Sequence, residues 1–382
     1  MSDRNSDELY LRQALALARK GIALTSPNPS VGAVVVNQHG KVVGSGFHTY
    51  SGIKHAEVIA LEQAGEHARG STIYVNLEPC VHQGRSGPCT EAIISAGIRR
   101  VVAAMKDPNP LVSGKGFQRL RDAGITVASE ILEQEAAPLN EAFAKYIRHK
   151  TPLVTLKGAM TLDGKISPPE NNSGDDSNSE EKWITGEPAR AYVQELRHQN
   201  DAILVGVGTV IADDPLLTDR TGLPRRRPLL RVILDSRLRL PIESRIVNTA
   251  ADDVLVICSF AEQNKKQSLQ QRGIRVEQLS PSGPDGRPDL AAVARLLGEL
   301  ENTSVLVEGG TMVNWTALAA GVVDKIFLFY APMILGGTSS VPFAGGPGFP
   351  SLRDAPHVNS LRLHRFGEDF AVEGYLRDPY TD

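Results

Sequence analysis

A histidine, two cysteines and a glutamate in the N-terminal third of this 382-residue chain could form a metal centre. His55 and Glu57 are two positions apart, and Cys80 and Cys89 each follow a proline. Histidine and cysteine are preferred ligands of Zn²⁺, and three protein ligands leave the fourth tetrahedral position to water. Because zinc lowers the pKa of that water to about 7, a nearby carboxylate can take its proton. These residues therefore predict a catalytic zinc site on His55, Cys80 and Cys89, with Glu57 as the proton shuttle.

The order of these residues is similar to the His-x-Glu and Pro-Cys-x-x-Cys signature of zinc-dependent nucleobase deaminases. The second part of that signature is stretched here, because eight residues, 81–88, separate the cysteines instead of two. An isolated His-x-Glu pair is common, and the two cysteines alone would also fit inert core residues or half of a structural zinc site. The occurrence of all four residues in the expected order favours catalysis.

The surrounding sequence predicts the elements that position the ligands. An apolar run at 72–77 predicts a strand that leads to Cys80, and a helix is predicted to begin at Cys89. The dipole of that helix would favour the thiolate form of the cysteine. A second helix is predicted from His55 to about Gly65. Strands and helices alternate through the first 148 residues, which predicts a three-layer α/β/α domain with much parallel pairing.

Length and composition indicate a globular protein of two or three domains. Hydrophobic residues make up 41% and charged residues 22% of the chain, and the net charge of −3 gives no general attraction to nucleic acid or anionic membranes. No apolar run reaches membrane-spanning length. The basic cluster Arg225–Arg227 lies between prolines and is interpreted as a solvated turn. Three cysteines and a polar N-terminus without signal-peptide features predict a cytoplasmic protein.

The second half of the chain also alternates between strands and helices, which predicts a doubly wound α/β sheet. A buried strand is predicted over 201–210, and the segment 168–181, which has no apolar side chain, is predicted to be mobile. A glycine pair, Gly309 and Gly310, lies between a strand at 304–307 and a helix that begins at Met312. Free amides at such a helix start can bind a phosphate.

Five motifs of the first half extend this interpretation, namely Asn28-Pro29-x-Val31-Gly32-Ala33, Gly46-x-His48, His55-Ala56-Glu57, Glu78-Pro79-Cys80-x-His82-x-Gly84-Arg85-x-x-Pro88-Cys89 and Asp107-Pro108-Asn109-Pro110. They resemble the bifunctional riboflavin-biosynthesis deaminase/reductase family, which shows the same stretched cysteine spacing. The resemblance implies a cytidine-deaminase-like fold and the zinc and proton-shuttle roles given above. It also implies pyrimidine contacts for Asn28, His48, Asp107 and Asn109, each of which would otherwise be a turn or cap residue.

The segment between the cysteines is polar, basic and glycine-rich. We predict that Arg85 binds the phosphate or sugar of the substrate from this segment, whereas the alternative is a flexible surface loop. Gly87 stands where the family resemblance would lead us to expect proline.

Four motifs of the second half resemble the reductase half of the same family: Lys157-x-x-x-x-Leu162-Asp163-Gly164, Trp183-Ile184-Thr185-Gly186, Gly208-Thr209-x-x-x-Asp213-Asp214-Pro215-x-Leu217-Thr218 and Val307-Glu308-Gly309-Gly310. The resemblance implies a dihydrofolate-reductase-like fold. It places NADPH near Met160, Trp183, Thr209, Asp213, Ser236, Gly309, Gly310, Thr311, Met312, Val313 and Asn314. It places the ribose phosphate near Arg197, Leu217 and Arg220, with Glu308 close to the sugar. Glu181 and Lys182 stand where a serine is usual.

We therefore predict a deaminase domain at 1–149 and a reductase domain at 150–382. The resemblance implies zinc-dependent deamination of a diaminopyrimidinone that carries a ribosylamino 5′-phosphate, followed by NADPH-dependent reduction of the ribosyl group to a ribityl chain. The predicted partner is this small molecule, with neither nucleic acid nor membrane. The resemblance implies a dimer or a tetramer, of which we expect the homodimer. No proton donor for the reduction stands out.

Two other functions agree less well with the sequence. A nucleic-acid deaminase with an unrelated second domain is disfavoured by the acidic charge balance and by the lack of a basic, aromatic-lined face. A regulator that keeps zinc only for structure is disfavoured by Glu57, since structural zinc takes four protein ligands and needs no carboxylate base.

Overall fold

The structure is a computed structural model, and it describes residues 3–83, 87–169, 183–282 and 285–381. The chain divides into two compact units. The first comprises Met1–Lys150, Pro224–Arg227 and Tyr380–Asp382, and the second comprises Thr151–Leu223 and Pro228–Pro379. Among the described residues, no helix has both the length and the apolar character needed to cross a membrane.

The first unit contains ten main helices and strands within the described residues. They are α1 (Asp3–Arg19), β1 (Gly32–Val36), β2 (Val42–Phe47), α2 (Ala56–Ala64), β3 (Thr72–Val75), α3 (Cys89–Ser95), β4 (Arg100–Ala103), α4 (Lys115–Asp122), β5 (Thr126–Ala128) and α5 (Glu133–His149).

These elements form three layers around a mixed sheet with strand order β2-β1-β3-β4-β5. Helices α1 and α5 contact each other, and α2, α3 and α4 form a second connected group. The strand β1 is antiparallel to both neighbours, whereas β3, β4 and β5 are mutually parallel. The prediction of three layers is confirmed, although parallel pairing accounts for only one side of the sheet.

Close packing of α2 on β2 fixes the start of the helix that follows His55. A side chain at Gly44 of β2 would place its Cβ 2.0 Å from the carbonyl oxygen of Ala60, so only glycine permits this approach. His55 itself has extended backbone and precedes the first turn, in which Glu57 lies. The sheet and the helix therefore hold both side chains at one end of the unit's core.

The second unit contains further helices and strands within the described residues. They are β6 (Leu153–Thr161), β7 (Lys165–Ser167), α6 (Glu187–Gln199), β8 (Ala202–Gly206), α7 (Val207–Asp213), β9 (Leu230–Leu234), α8 (Arg245–Asn248), β10 (Val254–Cys258), α9 (Gln263–Gln270), β11 (Arg275–Gln278), β12 (Pro281–Ser282), β13 (Arg287–Pro288), α10 (Leu290–Glu299), β14 (Ser304–Val307), α11 (Thr311–Ala319), β15 (Lys325–Ala331), β16 (Val341–Pro342), β17 (Asn359–Phe366) and β18 (Asp369–Tyr375).

The main sheet of this unit has the order β11-β10-β9-β8-β14-β6-β15-β18-β17. Neighbouring strands pair in parallel except at β18, which is antiparallel to both of its neighbours, β15 and β17. Alternate residues of β8 belong to different cores: Ile203 and Val205 pack into one, and Leu204 packs into another with residues of α10 and α11. Helices therefore cover both faces, and the predicted doubly wound sheet is confirmed.

The strand predicted over 201–210 is wrong in its second half. Strand β8 ends at Gly206, and Val207–Asp213 forms the helix α7. Val207 and Val210 are buried, which is the three-residue spacing of one helix face. The run of apolar residues fits either a strand or a helix. A strand of five residues, Ala202–Gly206, is enough to span the sheet at this point.

Candidate active sites

The first unit brings the three predicted zinc ligands together. Their ligand atoms all lie within 4.8 Å of one another. The Nδ1 atom of His55 is 3.1 Å from the Cys89 sulfur and 3.5 Å from the Cys80 sulfur. Tetrahedral zinc with bonds of about 2.0–2.3 Å separates nitrogen and sulfur ligands by roughly 3.5 Å, so this donor set fits zinc closely.

Three chain segments deliver these ligands. His55 precedes α2, Cys80 follows β3, and Cys89 is the first residue of α3. The backbone amide of Cys89 donates a hydrogen bond of 3.4 Å to the Cys80 sulfur, and the Thr90 amide and hydroxyl both donate to the Cys80 carbonyl oxygen. These contacts fasten Cys80 directly to the first turn of α3.

Hydrogen bonding inside the cluster shifts the pKa values of the two thiols in opposite directions. The hydrogen bond from Cys89 lowers the pKa of the Cys80 thiol. The hydrogen bond to Cys80 and burial raise the pKa of Cys89, and the hydrogen bond with Cys80 raises the pKa of His55. A thiolate is the form of cysteine that binds metals, and a coordinated metal favours deprotonation of each thiol that it binds.

The predicted proton shuttle lies inside this cluster. Glu57 is 3% exposed, and its Oε2 atom is buried without a hydrogen-bond partner. Burial raises the pKa of this carboxyl to about 6. An unpartnered buried carboxylate oxygen is costly, and a catalytic role is a common reason for one. The arrangement therefore fits a metal-bound water as the missing partner.

Asn28 and His48 lie together beside the metal ligands. The amide nitrogen Nδ2 of Asn28 is 3.1 Å from Nε2 of His48, and Nδ1 of His48 is 2.9 Å from the carbonyl oxygen of Lys54. The rings of His48 and His55 meet edge to face with centroids 5.3 Å apart. Both predicted substrate residues therefore border the cluster.

Asp107 and Asn109 lie on the loop between β4 and α4, and a buried glutamate holds this loop. The carboxylate of Glu78 accepts backbone hydrogen bonds from Asp107 (3.1 Å), Gly114 (2.9 Å) and Phe117 (3.1 Å). Because Glu78 is two residues before Cys80, the same segment fixes a metal ligand and the loop. Sequence reasoning quoted Glu78 in a motif but missed this role.

Within the loop, the side chains of Asp107 and Asn109 both accept backbone hydrogen bonds. Asp107 Oδ1 accepts from the Asn109 amide, and Asn109 Oδ1 accepts from Leu111. Burial raises the pKa of Asp107 to about 6. Asn109 thus serves as a turn residue within the loop. Arg85, the predicted phosphate partner, and the unusual pair Glu181 and Lys182 lie outside the described residues.

The second unit contains a buried group of charges at the carboxyl end of β14. Arg197 of α6 contacts both carboxylate oxygens of Glu308, at 2.7 and 3.1 Å. Lys157 of β6 lies 3.8 Å from the same carboxylate. The side chains are largely buried, with exposures of 11% for Arg197, 12% for Glu308 and 15% for Lys157. These residues form a buried ionic cluster of two cations and one carboxylate.

The charges of this cluster change one another's pKa values. Burial alone would raise the pKa of Glu308, but Arg197 and Lys157 lower it below its usual value. Burial and the charge of Arg197 together lower the pKa of Lys157. Sequence reasoning missed Lys157 as a site residue. Its signal was that Lys157 is the one charged residue of the strand Leu153–Thr161.

The loop that carries Leu217 and Arg220 is fastened to α6. Arg197 donates to the carbonyl oxygen of Thr218 at 3.1 Å, and the Arg220 amide donates to the side chain of Gln194 at 3.2 Å. Leu217 is buried and has a positive φ of 55°, so the chain bends sharply there. Leu217 therefore directly precedes the residue that Arg197 contacts, and its side chain packs into a hydrophobic core, whereas Arg220 is exposed.

The predicted nucleotide site is built where two helices begin side by side. A Cβ at Gly206, before α7, would lie 2.8 Å from Val313 of α11, so glycine permits the helices to approach. A Cβ at Gly310 would lie 4.0 Å from the Thr209 hydroxyl. Thr209 and the 309–314 turn are therefore neighbours, as the prediction requires. Met312 is exposed and Val313 is half-buried at the same turn.

Two buried polar atoms at the start of α11 have no hydrogen-bond partner. They are the Thr311 hydroxyl and the Oδ1 atom of Asn314, whose Nδ2 donates to the Phe343 carbonyl oxygen at 2.8 Å. Unpartnered buried polar atoms mark a place where a ligand or water completes the structure. Together with the free amides of a nine-residue helix, they fit the phosphate and amide groups of a dinucleotide.

The remaining predicted cofactor residues lie at the ends of other elements. Met160 is buried near the end of β6, and Asp213 is the exposed last residue of α7. Ser236 follows β9, and its carbonyl oxygen accepts the amides of residues 259 and 260. Trp183 is 57% exposed and packs under the guanidinium of Arg190. The described structure does not bring these four residues together at one site.

Comparison with known proteins gives two family matches. Residues 4–105 match the model of the cytidine and deoxycytidylate deaminase zinc-binding region. Residues 152–372 match the model of the RibD C-terminal domain. The predicted cytidine-deaminase-like first half and reductase-type second half are thereby confirmed.

Full-length relatives are also similar to this chain. The riboflavin biosynthesis protein RibD of Aquifex aeolicus is 43% identical over 369 residues, which cover 97% of this chain and 98% of the relative. Acinetobacter baumannii RibD has a TM-score of 0.83 at 35% identity, with 98% and 99% of the two chains covered. A Thermotoga maritima structure described as a diaminohydroxyphosphoribosylaminopyrimidine deaminase/5-amino-6-(5-phosphoribosylamino)uracil reductase has a TM-score of 0.80 at 35% identity, with 97% and 99% covered.

Proposed function

The chain belongs to the family of RibD riboflavin biosynthesis proteins, and from this membership we propose that it catalyses two consecutive steps of riboflavin biosynthesis. The first is deamination of the diaminopyrimidinone that carries a phosphoribosylamino group, and the second is reduction of its ribosyl group to ribityl. The Thermotoga relative bears both activities in its name. The observation that carries the proposal is the convergence of His55, Cys80 and Cys89 beside the buried carboxylate of Glu57, whose Oε2 atom has no hydrogen-bond partner.

We assign the deaminase to residues 1–149, with zinc on the three ligands. When bound, zinc supplies a Lewis acid that lowers the pKa of a coordinated water to about 7. Glu57 takes a proton from water and transfers protons to the pyrimidine ring nitrogen and then to the amine, while the water oxygen forms the new carbonyl and ammonia leaves. Asn28 and His48 bind the pyrimidine at one border of the cluster, and Asp107 and Asn109 bind it from the loop held by Glu78. Arg85 is proposed to bind the phosphate.

We assign the reductase to residues 150–382, with NADPH as the hydride source. Thr209 and residues Gly309 to Asn314 bind the nucleotide at the paired helix starts, and Met160, Trp183, Asp213 and Ser236 extend its site. Arg197, Leu217 and Arg220 bind the ribose phosphate, and Glu308 binds the sugar. These assignments are supported by the unpartnered Thr311 hydroxyl and by the ionic cluster at β14.

We assign the missing proton donor of the reduction to Lys157. Hydride adds to the anomeric carbon, the bond from this carbon to the ring oxygen breaks, and the released oxygen takes up a proton. Lys157 lies beside the proposed sugar ligand Glu308, and burial lowers its pKa toward neutrality. A buried lysine of this kind gives up its proton more readily than a solvated one.

We also propose a cytoplasmic homodimer. The three cysteines are free and buried, which suits a reducing compartment. The terminal strand β17 pairs only with β18, and its residues Leu361 and Leu363 are 56% and 70% exposed. An eight-residue edge strand with two exposed leucines offers unpaired backbone groups and apolar side chains for pairing with a second chain. Leu363→Lys is expected to convert the dimer to monomer in light scattering, whereas an unchanged mass would place the interface elsewhere.

The test of the deaminase is ammonia release from the diaminopyrimidinone phosphate by wild type and Glu57→Gln. Wild type should release ammonia, and the variant should keep its zinc but lose about 10²- to 10⁴-fold in rate, the usual contribution of a general acid–base. Equal rates would contradict the role of Glu57. Ammonia release only from single-stranded cytosine would identify a nucleic-acid deaminase, and zinc binding without any reaction would identify a regulator.

A further inference from the structure

The first unit includes a short segment from far along the chain. Pro224–Arg227 packs with residues 1–150, although its neighbours on both sides belong to the second unit. The three arginines of this segment are half-buried, so the sequence-based interpretation of a solvated turn is wrong. The segment lies against the loop that precedes β1, which carries one of the proposed substrate residues.

Arg226 makes the main contacts of this segment. Its backbone amide donates to the carbonyl oxygen of Ala23 at 2.9 Å, and its guanidinium donates to the carbonyl oxygen of Ser26. The same guanidinium lies flat over Tyr50, with its central carbon 3.4 Å from the ring centroid. One side chain therefore joins two stretches of chain, 23–26 and Tyr50, by a charged hydrogen bond and a cation–π contact.

The proposed substrate residues at the border of the metal cluster are close in sequence to these two stretches. Asn28 is two residues after Ser26, and His48 is two residues before Tyr50. The Tyr50 amide donates to the Leu24 carbonyl oxygen at 3.0 Å, so the stretches are also joined by backbone. The 3.1 Å contact between Asn28 and His48 depends on the relative position of the two stretches, both of which Arg226 contacts.

We propose that Arg226 is a positioning residue for deamination, acting through Asn28 and His48. This inference rests on the proposed deaminase activity of the first unit. It means that the site is incomplete without a segment from the sequence of the reductase half. A displacement of about 1 Å at a substrate contact can cost about 10²-fold in rate. Loss of Arg226 should therefore raise KM for the diaminopyrimidinone phosphate by roughly 10- to 100-fold, with a smaller change in kcat.

The experiment compares full-length wild type, Arg226→Ala, Arg226→Lys, Tyr50→Leu and the matched control Arg19→Ala, an exposed arginine at the end of α1. For each protein, zinc content, ammonia-release kinetics and NADPH oxidation with the deaminated pyrimidine are measured. We expect Arg226→Ala and Tyr50→Leu to raise the deaminase KM while zinc content and reductase kinetics remain those of wild type. Arg226→Lys, which keeps the charge but not the flat face, should fall between wild type and Arg226→Ala.

Two outcomes would overturn the inference. One is a deaminase KM for Arg226→Ala within threefold of Arg19→Ala. The other is loss of activity that follows loss of zinc in Arg226→Ala, together with unchanged kinetics in Tyr50→Leu, since that would reveal a folding effect only. Wild type that releases no ammonia would instead contradict the proposed function, so the two failures are distinguishable.

Discussion

Replacing Arg197 with methionine removes the main partner of a buried carboxylate and tests the reductase site. In the structure, the guanidinium contacts both oxygens of Glu308, and the remaining cation, Lys157, is 3.8 Å from the carboxylate. Breaking a buried ion pair by removal of one partner costs about 3–5 kcal/mol, because the other charge stays buried without compensation. We expect the free energy of unfolding of the second unit to fall by about this amount in denaturant titrations at neutral pH.

The pH dependence of this loss has a defined sign. In wild type, the pKa of Glu308 is lowered, so the stabilisation is complete above the ordinary carboxyl value and disappears only as pH falls through the lowered pKa. In Arg197→Met, burial is no longer balanced by Arg197, and the pKa of Glu308 rises. The carboxyl then becomes neutral at higher pH, which relieves the unpaired charge. The stability difference between the two proteins should therefore be smaller at pH 5 than at pH 8.

The same variant should lose reductase activity. Hydrogen bonds to charged groups contribute about 1.5–3 kcal/mol, which corresponds to roughly 10- to 200-fold in kcat/KM. The assay is NADPH oxidation with the deaminated pyrimidine, below the melting temperature of the variant. Ammonia release by the first unit should remain at the wild-type rate.

Lys325→Met provides a matched control, because it breaks a second buried pair in the same unit. Lys325 is 2.7 Å from Glu373, and the two side chains are 10% and 11% exposed. This variant should lose comparable stability but retain reductase kinetics. The reasoning would be refuted if Arg197→Met kept kcat/KM within twofold of wild type, or if Lys325→Met lost as much activity as Arg197→Met.

Three further predictions concern separate parts of the chain. Cys89→Ser should lose zinc, as measured by elemental analysis, and ammonia release, but not NADPH oxidation with the deaminated pyrimidine; retained zinc would contradict the ligand set. Thr311→Val should raise KM for NADPH about tenfold without a change in melting temperature, because the hydroxyl has no partner in the protein, and an unchanged KM would exclude a ligand contact. Asp7→Asn should destabilise the first unit by about 2–3 kcal/mol in denaturant titrations, because Asp7 is buried and contacts Arg100 at 2.7 Å through both oxygens. A change below about 0.5 kcal/mol, the usual range of surface substitutions, would show that the pair does not stabilise the fold.

The convergence of His55, Cys80 and Cys89 was predictable because the signals that mark these residues are local in sequence. A His-x-Glu pair at a helix start and a proline–cysteine after an apolar strand each carry their own signal, and the strand and helix at Thr72–Val75 and Cys89–Ser95 lie close to their predicted positions. The order of these elements then restricts where the side chains can meet. The unusual spacing between the cysteines obscured the signature without removing it.

The reductase cluster was less predictable because its members meet only through the sheet. Strand β6 pairs with β14 so that Leu156 lies opposite Val307, which places Lys157 beside Glu308 although 150 residues separate them. Arg197 reaches them from a helix. No local pattern encodes such pairing, so Lys157 was quoted in a motif without a role.

Periodicity was also insufficient where an apolar run fits two structures. The stretch after Gly206 became a helix rather than a continued strand, because the start of α7 packs against α11. A charge pattern was likewise insufficient to predict the structure of the segment Pro224–Arg227. Three arginines between prolines suggest a solvated turn, and only the folded chain brings Arg226 onto Tyr50.

The most direct test of the two-step function is NADPH oxidation with the diaminopyrimidinone phosphate as the only pyrimidine, for wild type and Glu57→Gln. Reduction after deamination predicts that wild type consumes NADPH. It predicts that Glu57→Gln, with zinc retained, consumes NADPH only when it is given the deaminated pyrimidine. NADPH consumption by Glu57→Gln at the wild-type rate with the diamino compound would contradict the order of the steps and the role of Glu57. No consumption by wild type with either pyrimidine would contradict the reductase assignment.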